Sequence, residues 1–391
     1  MGSVEVTRPR VAIYNLYWAT YGGGEQVSGA IAEALKARCD VTLLGPEAPN
    51  VEATRARLGV DLSGCEWRKV VDDSEAGEAS ADFDVFINGT YRSHTVNQAP
   101  VGLYYVHFPE PPITSRRQAV HKIAQVGLGA MKAAPRLPAR LTGVQRGLQR
   151  RVIDQSWSKS YTKFLSNSTY TAGWVKKLWG AESEIVYPPV RTTVKPGKKV
   201  ELITSIGRFF DPSLGHSKKQ HELLEVFTRM FSSHEGLGDW SLSFVGGADG
   251  ASRDYALAVR RGAIGLPVKV NLNAPRELVE TTLATASIYW HGGGFGEDAD
   301  LHPERFEHFG IAVVESMAAG AVPVVFAAAG PAEIVRHGVD GFHWKTLDEL
   351  QSFTRQLMND EELRMKMSSA AQLRAADFGV DVFAKRISSL I

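Results

Sequence analysis

The sequence predicts an α/β protein built from two doubly wound, Rossmann-like domains facing each other across a cleft. Three observations carry that expectation. The chain has 391 residues, beyond the roughly 250–300 at which a single hydrophobic core stops growing. Short runs that are apolar on both faces alternate with helical patterns, as buried parallel strands joined by helices do. The alternation breaks at "EIVYPPVRTTVKPGKKVE" (184–201), rich in Pro and Lys, and then starts again. The expected division is 1–192, 193–375 and a final helix, 376–391, crossing back to the first domain.

In the first half, "RVAIYNLY" (10–17), "DVTLLG" (40–45), "FDVFING" (83–89) and "GLYYVH" (102–107) read as strands. Between the first two, "GGGEQVSGAIAEALKAR" reads as a glycine loop followed by an amphipathic helix. "KFLSNSTYTAGWVKKLWG" gives a further strand and then Ser and Thr residues able to cap a helix. From Thr114 to Lys163 there are eleven Lys or Arg and one acid, Asp154. This stretch reads either as a solvated helical face or as a basic surface for an anionic partner, a phosphorylated acceptor or acidic lipid headgroups, with Arg116 and Arg117 on the acceptor side. Interspersed apolar residues fit an interfacial segment, while Pro135 and Pro138 argue against one long helix.

In the second half, "ELITSIGRF", "WSLSFVG", "VKVN", "SIYWHG" and "VPVVF" read as strands, and the tail from Thr346 to Ile391 as helices. Gly207 and Arg208 fall at the end of the first of these strands, and Lys218 and Lys219 open the helix that follows. In an open α/β sheet, ligands bind beyond the carboxyl ends of the strands, where helix N-termini also point. An Arg and a Lys delivered there suit a diphosphate.

Glu307 and Glu315 stand with seven residues between them, in "EHFGIAVVESMAAG". The Gly310 and Ile311 amides would lie at a helix N-terminus, suited to phosphate. Glu315, a turn or two into that helix, could accept both hydroxyls of a ribose, and Glu307 would face the sugar end of the same ligand. A nucleotide sugar would thus be gripped along its length. The acidic segment before Glu307, "WHGGGFGEDADLHPERF", reads as a lid hinged at Gly292, Gly293 and Gly294, or as a surface insertion. "YGGGEQ" does not match the G-x-G-x-x-G of dinucleotide-binding loops.

Composition narrows the classes further. Hydrophobic residues make up 44% and charged residues 22%, the mixture of an ordinary soluble globular protein, and the formal charge of +1 carries no nucleic-acid signature. Cys39 and Cys65 lack the spacing of a metal site or disulfide framework and are expected as unpaired thiols. No apolar run of about 18 residues is present, and the N-terminus lacks the apolar core of a secretory signal. A cytoplasmic protein is expected, peripheral at the inner face of the membrane if the basic stretch binds lipid.

The combination "GRFF", "KKQHELLEVF", "EHFGIAVVESMAAGAVPVV", "AGPAEIV" and "GVDGF" resembles the family 4 retaining glycosyltransferases of the GT-B fold, over essentially the whole chain. "GGGEQ", "YVHFP" and "EHFGIAVVESMAAG" are most similar to the branch holding the dolichol-linked oligosaccharide mannosyltransferases. The resemblance implies that Glu315 binds the nucleotide ribose and that Glu307 contacts hydroxyls of the transferred sugar, with His308, Phe309, Gly310 and Ile311 lining the donor site. Arg208 and Lys218 would hold the diphosphate, Lys219 being the less favoured of the two lysines. Gly22, Gly23 and Gly24 would lie beneath the diphosphate and His107 would touch the donor sugar. Glu25 is either an acceptor-side residue or a first-turn helix acid.

The activity implied is transfer of a hexose, mannose from GDP-mannose, to an acceptor hydroxyl with retention of configuration. The acceptor would be a lipid-linked glycan or a soluble molecule. No metal or other cofactor is expected; "EDAD" (297–300) only imitates an Asp-x-Asp element. The competing readings are a UDP-sugar donor with a small-molecule acceptor, a nucleotide-sugar epimerase or hydrolase, and a non-catalytic nucleotide-sugar-binding protein.

Overall fold

The computed structural model describes residues 8–110, 155–192, 194–233 and 237–391. Arg116, Arg117 and the basic stretch as far as Asp154 lie outside the described residues. In the first domain the strands are β1 (Arg10–Tyr14), β2 (Asp40–Gly45), β3 (Glu66–Lys69), β4 (Val85–Asn88), β5 (Val101–Val106), β6 (Lys163–Ser166) and β7 (Ser183–Ile185), with helices α1 (Gly23–Leu35), α2 (Val51–Leu58), α3 (Asp73–Ser80) and α4 (Thr169–Trp179). The sheet order is β3-β2-β1-β4-β5-β6-β7, with every pairing parallel.

The second domain repeats the plan. Its strands are β8 (Val200–Ile206), β9 (Ser241–Gly246), β10 (Val268–Leu272), β11 (Ala286–His291), β12 (Val322–Phe326) and β13 (Phe342–Trp344), all parallel in the order β10-β9-β8-β11-β12-β13. Its helices are α5 (Gln220–Phe231), α6 (Arg253–Gly262), α7 (Arg276–Thr285), α8 (Ile311–Ala318), α9 (Ala329–Ile334), α10 (Leu347–Asn359) and α11 (Glu361–Ala375), followed by α12 (Val380–Ser388).

Both faces of the first sheet are covered, which is why its inner strands are largely apolar rather than alternating. Val11, Ile13, Val41, Leu43, Val85 and Ile87 pack on one side, and Ala12, Tyr14, Leu44, Phe86 and Tyr104 on the other. α12 packs against α1, and its Phe383 and Ile387 are buried among Ile31, Leu35 and Val60 of the first-domain core. The chain end therefore stabilises a domain from which it is separated by all of the second sheet.

The strand order reverses between β1 and β4 in one sheet and between β8 and β11 in the other. Such switch points leave a crevice at the carboxyl ends of the strands. The two crevices open toward each other, and the segments leaving β1, β5, β8 and β11 line a shared cavity.

The domains also touch directly. The Glu333 carboxylate on α9 accepts the Thr169 amide at 2.9 Å, the Thr169 hydroxyl at 2.7 Å and the Tyr187 hydroxyl at 2.6 Å. A carboxylate from one domain thus sits on the first turn of α4 in the other, where the helix dipole favours negative charge. Cys39 and Cys65 are both free thiols. No helix among the described residues is long and apolar enough to cross a membrane.

Candidate functional site

The shared cavity has a volume of about 520 Å³. From the first domain it is lined by Gly23 and Gly24 at the start of α1, by His107 just past β5, and by Asn167. From the second come Gly207 and Arg208 after β8, Lys218, His291 at the end of β11, and the run Glu307 to Val313. Sequence reasoning placed most of these together, and the fold does bring them to one space.

The glycine loop is shaped by a capping box. Gly22 is the N-cap of α1; Glu25 accepts its amide at 2.6 Å and the Thr20 hydroxyl at 2.7 Å. Glu25 is therefore buried as a helix cap and is not brought to the cavity. His107 Nε2 lies 3.0 Å from the Gly89 carbonyl, so Nε2 carries the proton and donates. Burial, only partly opposed by that bond and by Glu25, lowers the pKa of His107 and keeps the ring neutral.

Glu307 forms the centre of the opposite wall. Its Oε2 pairs with Lys218 Nζ and lies 3.5 Å from His291 Nε2. Burial pushes its carboxyl up, but the Lys218 charge and His291 outweigh this and hold it well below the usual carboxylate range. Arg208 reaches Asp249 at 2.9 Å and lies 4.6 Å over the Phe210 ring, with its side chain 60% exposed at the cavity mouth. His308 stacks on Phe108 of the first domain, ring centroids 4.1 Å apart and 10° from parallel. Burial brings its pKa down to about 3.

Gly310, at φ 116°, is the left-handed N-cap of α8, so the Ile311 end of the helix points into the cavity. Phe309 contributes its backbone there, while its side chain packs between Tyr187 and Phe378. Glu315, in the second turn of α8, meets Arg276 Nη2 at 3.2 Å. Its pKa is raised, chiefly by burial, with Arg276 opposing.

Lys219 does not reach the cavity. It adopts φ 60° as N-cap of α5, and its Nζ turns away to bind Glu297 at 2.7 Å in a buried pair. Arg305 joins the same carboxylate at 3.1 Å. The Lys219–Glu297 pair ties the segment from Gly292 to Phe306 to the second domain, while Lys177 meets Asp300 at 3.2 Å and the Tyr170 hydroxyl donates to the Pro303 carbonyl at 2.9 Å, tying it also to α4 of the first. Sequence reasoning missed Arg276, His291, His216 and Asn167. His291 carried the signal that singled out His107, a histidine closing an apolar strand; Arg276 carried none.

Residues 194–374 match the family described as glycosyl transferases group 1. The second domain is a group 1 glycosyltransferase domain. The chain is also similar to the GDP-Man:Man(3)GlcNAc(2)-PP-Dol alpha-1,2-mannosyltransferase of Dictyostelium discoideum, 30% identical over 232 residues that cover 54% of this chain and 44% of that protein. The protein of the same description from Xenopus laevis is 28% identical over 181 residues, 42% of this chain and 34% of that protein. This chain therefore spans less than half the length of these relatives. Among solved structures, Anabaena Alr3699/HepE in complex with UDP superposes with a TM-score of 0.66 at 15% identity, covering 97% of this chain and 99% of that one. WaaG, a glycosyltransferase involved in lipopolysaccharide biosynthesis, superposes at 0.60 with 15% identity, covering 98% and 99%. Both alignments include the group 1 domain and its partner, so the two Rossmann-like domains form the GT-B fold.

Proposed function

We propose that this chain is a retaining glycosyltransferase that needs no metal and moves a hexose, mannose from GDP-mannose, to a hydroxyl of an acceptor glycan. The observation that carries the reading is the cavity itself. It holds two cationic side chains, Arg208 and Lys218, a helix N-terminus at Gly310 and Ile311, and Glu307 beside them. Glu315 stands further along the same helix. That sequence of groups matches a diphosphate flanked by a sugar and a ribose. The choice of mannose rests on the similarity to the mannosyltransferases of Dictyostelium discoideum and Xenopus laevis.

Charge decides how the site would work. As the bond between the anomeric carbon and the leaving nucleotide breaks, negative charge grows on the β-phosphate. Arg208, Lys218 and the first amides of α8 would be the donors for that charge, and donors already in place as the charge develops stabilise a transition state strongly. Two cations in the diphosphate position perform the neutralisation for which other transferases use a divalent ion. As the resemblance to the retaining glycosyltransferases implies, the acceptor would attack from the side the nucleotide leaves, its proton passing to the departing phosphate. The enzyme would work in the cytoplasm, and the basic sequence from Thr114 supports an anionic, lipid-linked acceptor at the membrane surface.

The test is thermal stabilisation by a panel of nucleotides and nucleotide sugars, with and without EDTA. A ligand that binds only the folded state must raise its melting temperature. GDP and GDP-mannose are expected to raise it equally well in EDTA. A shift confined to UDP-sugars would move the donor assignment, and one abolished by EDTA would reject metal independence. Turnover of the donor at full rate without any acceptor would favour an epimerase or hydrolase, and no shift at all would reject the nucleotide grip.

A further inference from the structure

His291 is a buried histidine without a hydrogen bond, in a cavity lined by charge. It is 4% exposed, and neither ring nitrogen has a hydrogen-bond partner among the described residues. Its backbone is held firmly: the carbonyl accepts the Trp344 indole at 3.2 Å, and β11 lies in the middle of the second sheet. The ring therefore has a fixed position, and its Nε2 meets Glu307 only across the long 3.5 Å contact that helps to lower that carboxyl. Leaving a buried polar group unpaired is costly, so such a group points to a partner supplied in another state of the protein.

The neighbouring ion pair identifies that partner. Lys218 Nζ holds Glu307 Oε2, and His291 Nε2 stands 3.5 Å from the same oxygen. The proposed function requires Lys218 to bind the diphosphate. An ammonium group drawn to two phosphates loosens its hold on Glu307, and a largely buried carboxylate is left short of a donor just as a sugar hydroxyl arrives to use it. Among the described residues His291 is the histidine paired with the Glu307 carboxylate, and the Tyr289 hydroxyl donates elsewhere, to the Ile206 carbonyl at 3.2 Å.

We propose that His291 is the positioning residue for Glu307, its Nε2–H taking over the carboxylate when nucleotide diphosphate draws Lys218 away. The inference rests on the reading of Lys218 as a diphosphate ligand. It adds an exchange of partners. Without ligand, Glu307 stands in for phosphate on Lys218. With ligand, His291 stands in for Lys218 on Glu307, leaving the second carboxylate oxygen free to accept from the sugar. No proton changes owner in the exchange; the imidazole stays neutral and one hydrogen bond replaces another.

The experiment is a double-mutant cycle read by calorimetric titration with GDP and GDP-mannose. His291→Phe keeps the ring volume and removes the donor, while Glu307→Gln removes the charge that would be stranded. In the Glu307 background, His291→Phe should weaken GDP binding about tenfold, the cost of one buried unpaired carboxylate. In the Glu307→Gln background it should change binding less than twofold. His291→Gln, which keeps an N–H near the same reach, should restore most of the affinity.

Equal losses in both backgrounds, or no loss in either, would overturn the proposal. If His291→Phe does not fold, the wild-type protein gives the answer by nitrogen-15 spectroscopy of its histidines. The His291 Nε2–H resonance should move to a hydrogen-bonded position on saturation with GDP, and an unmoved resonance would overturn the assignment. Failure of the wild type to bind any nucleotide would reject the proposed function and this inference together. Binding without coupling would reject this inference alone.

Discussion

Glu307 and Glu315 belong to one short motif, yet the fold treats their charges in opposite ways. Lys218 and His291 hold Glu307 well below the ordinary carboxylate range despite its burial, whereas burial raises Glu315 and Arg276 only partly offsets it. Arg276 shares its guanidinium, Nε on Glu280 at 2.8 Å and Nη2 on Glu315 at 3.2 Å, so those two residues are the charged neighbours that set Glu315. Removing Arg276 lifts the Glu315 pKa further, and a carboxyl that gains a proton can no longer accept from both ribose hydroxyls. Arg276→Ala should therefore weaken nucleotide binding more at pH 6 than at pH 8, with the wild type flatter across the same range. Parallel slopes in titrations at the two pH values would disprove the coupling. In the proposed reaction Arg208 would act later, on the charge that develops as the bond to the nucleotide breaks. If one such contact supplies about 3 kcal/mol, Arg208→Ala should lower turnover about 10²-fold, and a loss under threefold in a steady-state assay would remove it from the site. These two arginines also mark the limit of the sequence. Arg208 follows an apolar strand in a family-like context, while Arg276 meets Glu315 only because α7 and α8 pack together, a proximity that no local pattern encodes.

At the scale of elements, the motif works because two backbones approach closely. α9 runs against the turn from Glu307 to Gly310, and the Gly330 amide donates to the Glu307 carbonyl at 3.0 Å. A Cβ at Gly330 would lie 2.3 Å from the Phe309 backbone, which no side-chain rotation relieves. Gly330→Ala should cost about 2 kcal/mol by overpacking and lower nucleotide affinity with it. Gly173 is the contrast: it lies within α4, and a methyl group added there would meet nothing within 4 Å, so Gly173→Ala should stabilise by about 0.5–1 kcal/mol. Thermal melts of both variants check the pair, and a destabilised Gly173→Ala with an unchanged Gly330→Ala would reverse the packing argument. Strand legibility follows the same logic of burial. Central strands such as β2 and β12 are apolar on both faces and are readable in the sequence. The strands that sequence reasoning misses, β3 "EWRK", β7 "SEI" and β13 "FHW", lie at sheet edges and are three or four residues long; β3 and β7 contribute little to the core, whereas β13 buries Phe342 and Trp344 but is too short to show a period. The apolar run at 10–17 is longer than its strand, because after Tyr14 the chain leaves the sheet and Trp18 turns to donate to the Leu44 carbonyl at 2.9 Å. Sequence reasoning favours Lys218 over Lys219 yet leaves both at the donor, because nothing local shows that Lys219 is left-handed and sends its side chain to Glu297.

For the whole molecule, the cavity between the domains concentrates groups whose ionisation opposes folding. His107, His216, His291 and His308 all line it, and burial lowers the pKa of each. The interface that buries them is held by the grip of Glu333 on the start of α4 and by the His308–Phe108 stack, so the rings stay neutral only while the two domains remain docked. The unfolded chain binds protons at these histidines below about pH 6.5, whereas the folded protein refuses them. Stability is thus fully present above that pH and falls on acidification, for His308 over the window from about 6.5 down to about 3. His308 is the best probe, because its ring already stacks face to face on an aromatic partner and its Nε2 is buried without a hydrogen bond. Around it, His216 and Lys218 act in the same direction as burial, and together these outweigh the Glu307 charge and the hydrogen bond to the Glu304 backbone. His308→Phe keeps the stack and removes the titration. Urea unfolding at pH 7.5 and at pH 5.5 should show the wild type losing about 1 kcal/mol more than His308→Phe between the two. Equal losses would mean that His308 takes up its proton without disturbing the interface, and that the contact between the domains yields to acid by another route.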